Sequence, residues 1–390
     1  MRFPGTDVPG YIPAALRASA VLNSPGWISS AAGASESSPG RQSREREIED
    51  PSPFRDGRKR SKCIVTLDDI RQAQQRLRGV ATRTPLIEYD GNGRQLWFKP
   101  ESFQPIGSFK LRGAYNKIAS LSEDERRRGV ITYSSGNHAQ GVAYSGRALG
   151  AKAVVVMPRK APQIKIDATK ALGAEIVFVG PTSAERRSKA EELAAQHGYA
   201  IIPPFNDEKI IAGQGTIGLE IAEDLPDVEL VLVPVGGGGL VSGVATAIKH
   251  LRPQAKVVGV EPELAADAQA SLRAGKIVSW PGEKVGRTLA DGLRTQHLGE
   301  INFEHIRRHV DDIVTVSEDE IREAMRRLAL EVRLVAEPSG AVTSAAFFFH
   351  ASELPRSEKT VAIISGGNVE VQLLASVLDG GWLEATIASD

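Results

Sequence analysis

The sequence of 390 residues has little of what a disulfide-stabilised, a membrane or a nucleic-acid-binding protein needs. Its only cysteine is Cys63, so no disulfide can form within the chain, and a reducing compartment is indicated. Lys plus Arg equals Asp plus Glu at 48 each, which leaves no general basic field for nucleic acid or acidic membranes. The longest apolar runs, such as 153–157, have strand length and fall short of the ~20 residues of a membrane span. We therefore expect a cytoplasmic protein that acts on small molecules.

The N-terminal 62 residues differ in composition from the rest. Residues 24–40 are rich in Ser, Ala and Gly, and residues 41–62 are mostly charged. Such a segment cannot bury enough apolar surface to offset its ordering entropy, so we predict that 1–62 is a disordered extension. An organellar transit peptide is an alternative, because residues 1–44 have several Arg and Ser and few acids.

From Thr66 onward, helical and strand patterns alternate. Thr66-Leu67-Asp68-Asp69 is typical of a helix N-terminus. Short apolar segments predict strands at 130–133, 153–157, 176–179, 230–235, 257–260 and 361–364. Near-continuous apolar strands between helices indicate mainly parallel sheets covered on both faces. We predict an α/β fold of two three-layer αβα domains: a small domain, 125–204, and a discontinuous large domain, 64–124 plus 205–390.

A run of four glycines, Gly236, Gly237, Gly238 and Gly239, predicts an anion site. It follows a predicted strand at 231–235 and precedes a helix that starts near Leu240. Glycines allow a tight turn that directs several backbone N–H groups and a helix N-terminus at one anion, such as a phosphate ester. No Lys-Ser or Lys-Thr follows, so the run is not a P-loop.

Three further segments carry reactive or polar groups. They are Gly107–Ala114, which contains Lys110 between Phe109 and Leu111, then Ser134–His138, and Ser365–Asn368. A partly desolvated lysine has a lowered pKa and can form an imine or act as a base. Ser134–His138 follows a predicted strand and opens a helix, an arrangement suited to a carboxylate.

Taken together and in this order, the four segments resemble the threonine/serine dehydratase and serine racemase group of fold-type II pyridoxal phosphate enzymes, in the tryptophan synthase beta-like superfamily. The resemblance covers roughly residues 64–375. It implies a homodimer with pyridoxal 5'-phosphate in the cleft between the two domains. The residues that would contact the cofactor are Lys110 as Schiff base, Phe109, Asn137 at the 3-oxygen, Gly236, Gly237, Gly238, Gly239 and Leu240 at the phosphate, and Ser365 at the pyridine nitrogen.

The resemblance also implies how an amino-acid substrate is bound. The loop of Ser134, Ser135, Asn137 and His138 would bind the substrate carboxylate, with His138 as a supporting donor. Arg186 aligns with a carboxylate-binding arginine of the racemases, although a solvated helix face explains it equally well. Arg294 and Thr295 would line the pocket for the substrate side chain.

The implied activity is α,β-elimination from a 3-hydroxy L-amino acid, such as threonine or serine, to give a 2-oxo acid and ammonia. Lys110 would remove the α-proton. A neutral Ser365 at the ring nitrogen makes the cofactor a weaker electron sink than an Asp would, which favours prompt loss of the β-hydroxyl. Ser135, on the face opposite the lysine in the racemases, keeps serine racemisation open. Dehydration of hydroxyaspartate or phenylserine and non-catalytic cofactor binding are further alternatives.

Glu261, Ala265 and Asp267 match the spacing of a divalent-cation site in the racemases. Two carboxylates and a backbone carbonyl are hard oxygen ligands that suit Mg²⁺ or Ca²⁺. Acids at the end of a strand are also common on surfaces, so this site stays an alternative.

Two other patterns are interpreted as structural. Gly213–Gly218 has the GxGxxG spacing of dinucleotide-binding loops, but no strand precedes it, so we expect a helix N-terminal turn. His305 and His309 lie one helical turn apart beside arginines and without a third ligand, so we expect a solvated helix face.

Overall fold

The computed structural model describes residues 64–380 except residues 91–93, 135, 160, 162 and 181. The extension predicted at 1–62 therefore lies outside the described residues, as do Cys63 and Ser135. Within the described part of the chain, no helix combines the length and the apolarity that crossing a membrane requires.

The described residues form fourteen α-helices and ten β-strands. The strands are β1 Ile87–Asp90, β2 Gln95–Pro100, β3 Val130–Thr132, β4 Ala153–Pro158, β5 Glu175–Val179, β6 Ala200–Ile201, β7 Leu230–Pro234, β8 Lys256–Pro262, β9 Asp312–Val316 and β10 Lys359–Ile364. The helices are α1 Leu67–Leu77, α2 Lys110–Ala119, α3 Glu123–Arg128, α4 Asn137–Ala148, α5 Gln163–Ala171, α6 Ser183–His197, α7 Glu208–Asp224, α8 Gly239–Leu251, α9 Asp267–Ala274, α10 Gly282–Val285, α11 Glu300–His309, α12 Glu318–Arg327, α13 Pro338–Phe349 and α14 Val371–Asp379.

The larger sheet has six strands in the order β1-β2-β10-β7-β8-β9, and only the β1–β2 pair is antiparallel among those described. Successive residues of its strands point to opposite faces. Leu230 and Leu232 pack with α12 and α13, whereas Val231 and Val233 pack with α7, α8 and α11. Helices therefore cover both faces, and this is why the central strands are apolar throughout.

The smaller sheet has four parallel strands in the order β5-β4-β3-β6. Val155 and Met157 of β4 pack towards α2 and α4, and Val154 and Val156 pack towards α6. The same αβα layering thus recurs on a smaller scale.

The predicted α/β class with two mainly parallel sheets is confirmed. The strands of the smaller sheet all lie between Val130 and Ile201. The domain boundaries, 125–204 for the small domain and 64–124 plus 205–390 for the large one, stay a prediction.

The predicted helix start at Thr66 is confirmed by a capping box. Thr66 Oγ1 accepts a hydrogen bond from the Asp69 backbone N–H at 3.2 Å, and the Asp69 carboxylate accepts one from the Thr66 N–H at 3.0 Å. The apolar side of this helix, Ile70, Ala73 and Leu77, is buried as its spacing indicates.

The GxGxxG segment lies in the interior of α7 and not at its first turn. A Cβ on Gly213 would lie 2.6 Å from the Arg112 carbonyl oxygen, and one on Gly218 would lie 2.8 Å from the Val244 carbonyl oxygen. These glycines let α7 pack closely against α2 and α8, so they serve helix packing.

The expectation of a solvated face at His305 is wrong. His305 is fully buried, its Nε2 accepts a hydrogen bond from the Val65 N–H at 3.1 Å, and its Nδ1 lies 2.9 Å from Thr246 Oγ1. Burial lowers the pKa of His305 to about 4, so the ring is neutral at pH 7. It anchors the segment that leads into α1.

Candidate active site

Backbone hydrogen bonds join the Gly107–Ala114 motif to the Ser365–Asn368 motif, although the two lie about 250 residues apart in the sequence. The Phe109 N–H donates to the Ser365 carbonyl oxygen at 3.0 Å, and the Gly367 N–H donates to the Gly107 carbonyl oxygen at 2.9 Å. An isolated antiparallel bridge pairs Ser108 with Gly366 between them. Lys110, the first residue of α2, is thereby fixed beside the end of β10.

The Lys110 amine is partly buried and donates a hydrogen bond to the Pro204 carbonyl oxygen at 2.9 Å. Its Nζ also lies 5.2 Å from the centre of the Phe109 ring. Burial lowers the pKa of Lys110 to about 8, against the opposing charge of Glu337. The lowered pKa makes the unprotonated amine, the form that a nucleophile or a base requires, more accessible near neutral pH than for an exposed lysine.

The glycine loop has the predicted position between β7 and α8. Gly238 has φ +91°, which glycine adopts without strain, and a side chain on Gly237 would collide with the Phe205 ring. Helix α8 starts at Gly239, and its second residue, Leu240, is buried. A tight glycine turn at a helix N-terminus is suited to a phosphate group.

Asn137 connects the second motif to the fourth. It is the first residue of α4, and its Oδ1 accepts a hydrogen bond from Asn368 Nδ2 at 2.8 Å. Its Nδ2 donates to Glu337 Oε1 at 2.6 Å. The segments around Lys110, Asn137 and Ser365 therefore form one continuous network.

Glu337 is the polar residue of this network that the sequence analysis missed. It precedes α13, is 3% exposed and has its pKa raised to about 8 by burial and by the charge of Asp291, against the opposing effects of Asn137, Lys165 and Lys110. In the sequence it is only an acid before a proline at a helix start, a common pattern. Its pairing with Asn137, 200 residues away, exists only in the fold.

His138 is buried, with Nε2 3.0 Å from the Ile202 carbonyl oxygen. Burial and the nearby charge of Lys110 lower its pKa to about 3, so the ring is neutral and Nε2 carries the hydrogen that the carbonyl accepts. The neighbouring Ser134 accepts a hydrogen bond from the Gly136 N–H at 3.4 Å. The carboxylate-binding role of this loop stays a prediction.

Ser365 is buried, and its hydroxyl donates to the Ser339 carbonyl oxygen at 3.3 Å. The Ser339 hydroxyl accepts a hydrogen bond from the Gly292 N–H at 2.9 Å, which fixes the turn before Thr295. The Arg294 guanidinium donates twice to the Thr288 carbonyl oxygen, at 2.9 and 2.6 Å, so its donors serve the loop itself. Whether Thr295 lines a substrate pocket stays a prediction.

Arg186 lies in the first turns of α6, on the smaller sheet, and burial lowers its pKa. Among the described residues, the hydrogen bonds that join the motifs do not include Arg186. Its proposed contact with a substrate carboxylate stays a prediction.

Glu261, Ala265 and Asp267 come together after β8. The Glu261 carboxylate accepts hydrogen bonds from the Ala268 and Gln269 N–H groups at 3.0 and 2.8 Å. Among the described residues, neither buried oxygen of Asp267 has a hydrogen-bond donor, and burial raises the pKa of Asp267 to about 7. The described residues include no group of three or more His, Cys, Asp or Glu side chains arranged for a metal. Whether Glu261, Ala265 and Asp267 hold a cation stays a prediction.

The sequence matches the family of pyridoxal-phosphate dependent enzymes over residues 77–366. It is 45% identical to the L-threonine ammonia-lyase of Thermotoga maritima, over 83% of this chain and 80% of that protein. It is 41% identical to the L-threo-3-hydroxyaspartate ammonia-lyase of Saccharomyces cerevisiae, over 81% of this chain and 97% of that protein.

The fold is similar to the solved structure of maize serine racemase, with a TM-score of 0.77 and 35% identity over 83% of this chain and all of that one. The region matched by the family, 77–366, contains the first three motifs, Ser365 and Gly366 of the fourth, and the hydrogen-bonded pair of Asn137 and Glu337. The chain therefore belongs to the pyridoxal-phosphate-dependent enzymes, in the fold-type II group that contains the threonine ammonia-lyases and serine racemases.

Proposed function

We propose that this chain is an ammonia-lyase for 3-hydroxy L-amino acids, with L-threonine or L-serine as the main substrate and a 2-oxo acid and ammonia as products. The observation that carries the proposal is the partly desolvated Lys110 amine, which lies in one network with Asn137, Glu337 and the Ser365 segment. The 45% identity to a threonine ammonia-lyase supports the substrate class.

The residues present fit pyridoxal phosphate. Lys110 would hold it through a Schiff base, Gly236–Gly239 and the start of α8 would bind its phosphate, and Ser365 would face its ring nitrogen. When bound, pyridoxal phosphate supplies an electron sink that acidifies the α-proton of an amino acid. The Lys110 Nζ, once free, would accept that proton, since burial lowers its pKa and so favours the unprotonated amine.

Serine racemisation is the second candidate, because Ser135 is present and maize serine racemase has a similar fold. Ser135 lies outside the described residues. Hydroxyaspartate is the third candidate substrate, supported by the yeast relative. The three candidates differ in their products and can be separated in a single assay.

The experiment incubates the cofactor-loaded protein with L-serine, L-threonine and L-threo-3-hydroxyaspartate in separate reactions. The 2-oxo acid, ammonia and both enantiomers of the amino acid are measured in each. Oxo acid and ammonia from threonine or serine, without D-amino acid, are the expected result. D-serine that accumulates ahead of pyruvate would make the chain a racemase. Turnover of hydroxyaspartate alone would correct the substrate.

We also propose that Glu261, the Ala265 carbonyl and Asp267 hold Mg²⁺ or Ca²⁺ for stability. The two unpaired oxygens of Asp267 support this site. Addition of either ion to chelator-treated protein should raise its thermal midpoint, because a ligand that binds only the folded state stabilises it. A thermal midpoint that does not change at millimolar concentrations of either ion would contradict the site.

The homodimer, the cytoplasmic location and the two domain boundaries stay predictions. Light scattering of the purified protein tests the dimer. Limited proteolysis tests the boundaries, since cleavage near residues 125 and 204 is expected if the two sheets belong to separate domains.

A further inference from the structure

The carboxamide of Asn137 is held at both ends in a single orientation. Asn368 Nδ2 donates to the Ile106 carbonyl oxygen at 2.8 Å, and a carbonyl can only accept, so the orientation of Asn368 is fixed. The same Nδ2 donates to Asn137 Oδ1 at 2.8 Å. The Nδ2 of Asn137 must therefore face Glu337, whose Oε1 accepts from it at 2.6 Å.

Glu337 is itself held firmly. Its backbone N–H donates to the Gly366 carbonyl oxygen at 3.0 Å, and a side chain on Gly366 would collide with its carboxyl group. Glu337 is buried, so water does not compete for its hydrogen bond with Asn137. Glycine at 366 thus provides the space in which the carboxyl group reaches Asn137.

The amide nitrogen of Asn137 has two hydrogens, and Glu337 accepts one. Among the residues that the structure describes, no acceptor is found for the other, which leaves it for a ligand at the start of α4. We propose that Glu337 is a positioning residue that acts through Asn137 and presents the second N–H to a negatively charged oxygen of the bound ligand. This inference rests on the proposed function, which supplies two such oxygens, one on the cofactor ring and one on the substrate carboxylate.

The protonation of Glu337 agrees with this role. The charged groups around it are Asp291 in the turn before Thr295, Lys165 on α5 and Lys110 on α2, and its pKa is raised to about 8 by burial and Asp291. Lys165 and Asp291 also form an ion pair with each other. At pH 7 the carboxyl group is mostly neutral, so it still accepts the Asn137 N–H without placing a buried negative charge near an anionic ligand.

The test is a double-mutant cycle on cofactor affinity, measured by fluorescence or absorbance without substrate. We expect Glu337→Leu and Asn137→Ala each to weaken pyridoxal phosphate binding by about tenfold, as the loss of one buried hydrogen bond does. The double variant should be within about twofold of Asn137→Ala, because Glu337 has no effect once its partner is gone. Glu337→Gln keeps an acceptor oxygen and should bind like wild type. Glu358→Gln, an exposed acid, is the matched control.

The two ligand oxygens are distinguished by the substrate kinetics of the same variants. If the effects of Glu337→Leu and Asn137→Ala are coupled in cofactor affinity, the second N–H of Asn137 is assigned to the cofactor. If they are coupled in KM alone, that N–H is assigned to the substrate carboxylate. Additive losses in both measurements would overturn the inference, because Glu337 would then act independently of Asn137. Wild-type protein that fails to bind pyridoxal phosphate would instead overturn the proposed function.

If Glu337→Leu does not fold, a pH titration tests whether Glu337 acts on the ligand through Asn137. Wild-type protein loaded with cofactor should show an absorbance change near pH 8 that is absent in Glu337→Gln. Identical titrations of the two proteins would show that Glu337 does not reach the ligand through Asn137.

Discussion

Lys110 and Arg112 are two residues apart on α2, on nearly opposite sides of the helix, and both are cations removed from water. Arg112 faces Glu101 and Glu220, with Nε–Oε2 2.7 Å and Nη1–Oε1 2.6 Å, and Lys99 reaches Glu220 at 2.7 Å. This buried ion cluster, Lys99, Glu101, Arg112 and Glu220, has two positive and two negative groups. Lys110 has a backbone carbonyl instead of a carboxylate within hydrogen-bonding distance.

The pKa values of the buried ion cluster and those of Lys110 and Glu337 shift in opposite directions, towards the charged and the neutral forms respectively. Burial alone would lower the pKa of Arg112, but Glu101 and Glu220 outweigh it and raise that pKa. Burial would raise the pKa of Glu220, but Arg112 and Lys99 lower it overall. The pKa values of Lys110 and Glu337 instead shift towards the neutral forms. Close ion pairs keep the cluster charged and structural, whereas the lack of such pairs makes Lys110 suitable for chemistry.

Lys110→Ala tests the proposed reactive role of Lys110 and should have the largest effect, a loss of activity. We expect a loss of kcat/KM on the order of 10³-fold or more, because both the cofactor linkage and the base are removed. The free energy of unfolding should change by less than about 1 kcal/mol, since one hydrogen bond is lost and one buried amine is relieved. Exposed Lys276→Ala is the control, and turnover by Lys110→Ala within tenfold of wild type would contradict the assignment.

Arg112→Leu tests whether the buried ion cluster stabilises the fold. It leaves the buried carboxylates of Glu101 and Glu220 without their main partner, so we expect a loss of about 3–5 kcal/mol in the free energy of unfolding. Denaturant titration measures it. Arg71→Leu, at an exposed ion pair with Asp68, should cost less than about 1 kcal/mol. Equal losses in the two variants would show that the cluster does not stabilise the fold.

Glu337→Gln tests the direction of the pKa shift. Glu337 keeps its proton in the folded protein up to about pH 8, while the unfolded chain releases it near its ordinary value of 4.5. The contribution of Glu337 to stability is therefore full below pH 4.5 and is lost as the pH rises to about 8. Relative to wild type, the variant should gain about 3–4 kcal/mol between pH 5 and pH 8. If the stability difference between Glu337→Gln and wild type stays constant from pH 5 to pH 8, the raised pKa of Glu337 is contradicted.

Asp267→Asn extends the comparison to a buried acid without a cationic partner among the described residues. The pKa of Asp267 is raised to about 7 from 3.8, so its contribution to stability is lost as the pH rises through that range. In chelator at pH 8 the variant should be more stable than wild type by about 1 kcal/mol, and it should no longer respond to Mg²⁺ or Ca²⁺. Glu263→Gln, an exposed neighbour, should keep the response.

Much of the fold could be predicted from local sequence. The capping box at Thr66, the apolar strands and the glycine run are local patterns, and each is found where it was predicted. The exposure of His305 could not be predicted in this way, because a helical period does not show that Val65 and Thr246 cover that face. The GxGxxG segment was rejected for lack of a strand, but its packing role depends on α2 and α8.

By itself, the sequence determined which groups are available: an amine at Lys110, a glycine loop at Gly236–Gly239, and a hydroxyl at Ser365. These follow from residue type and from neighbours within a few positions. Only the tertiary structure decided that Lys110 lies away from carboxylate partners while Arg112 is surrounded by them, and that Glu337 holds Asn137. Burial and pairing depend on residues distant in the sequence, and they set the pKa values on which the chemistry depends.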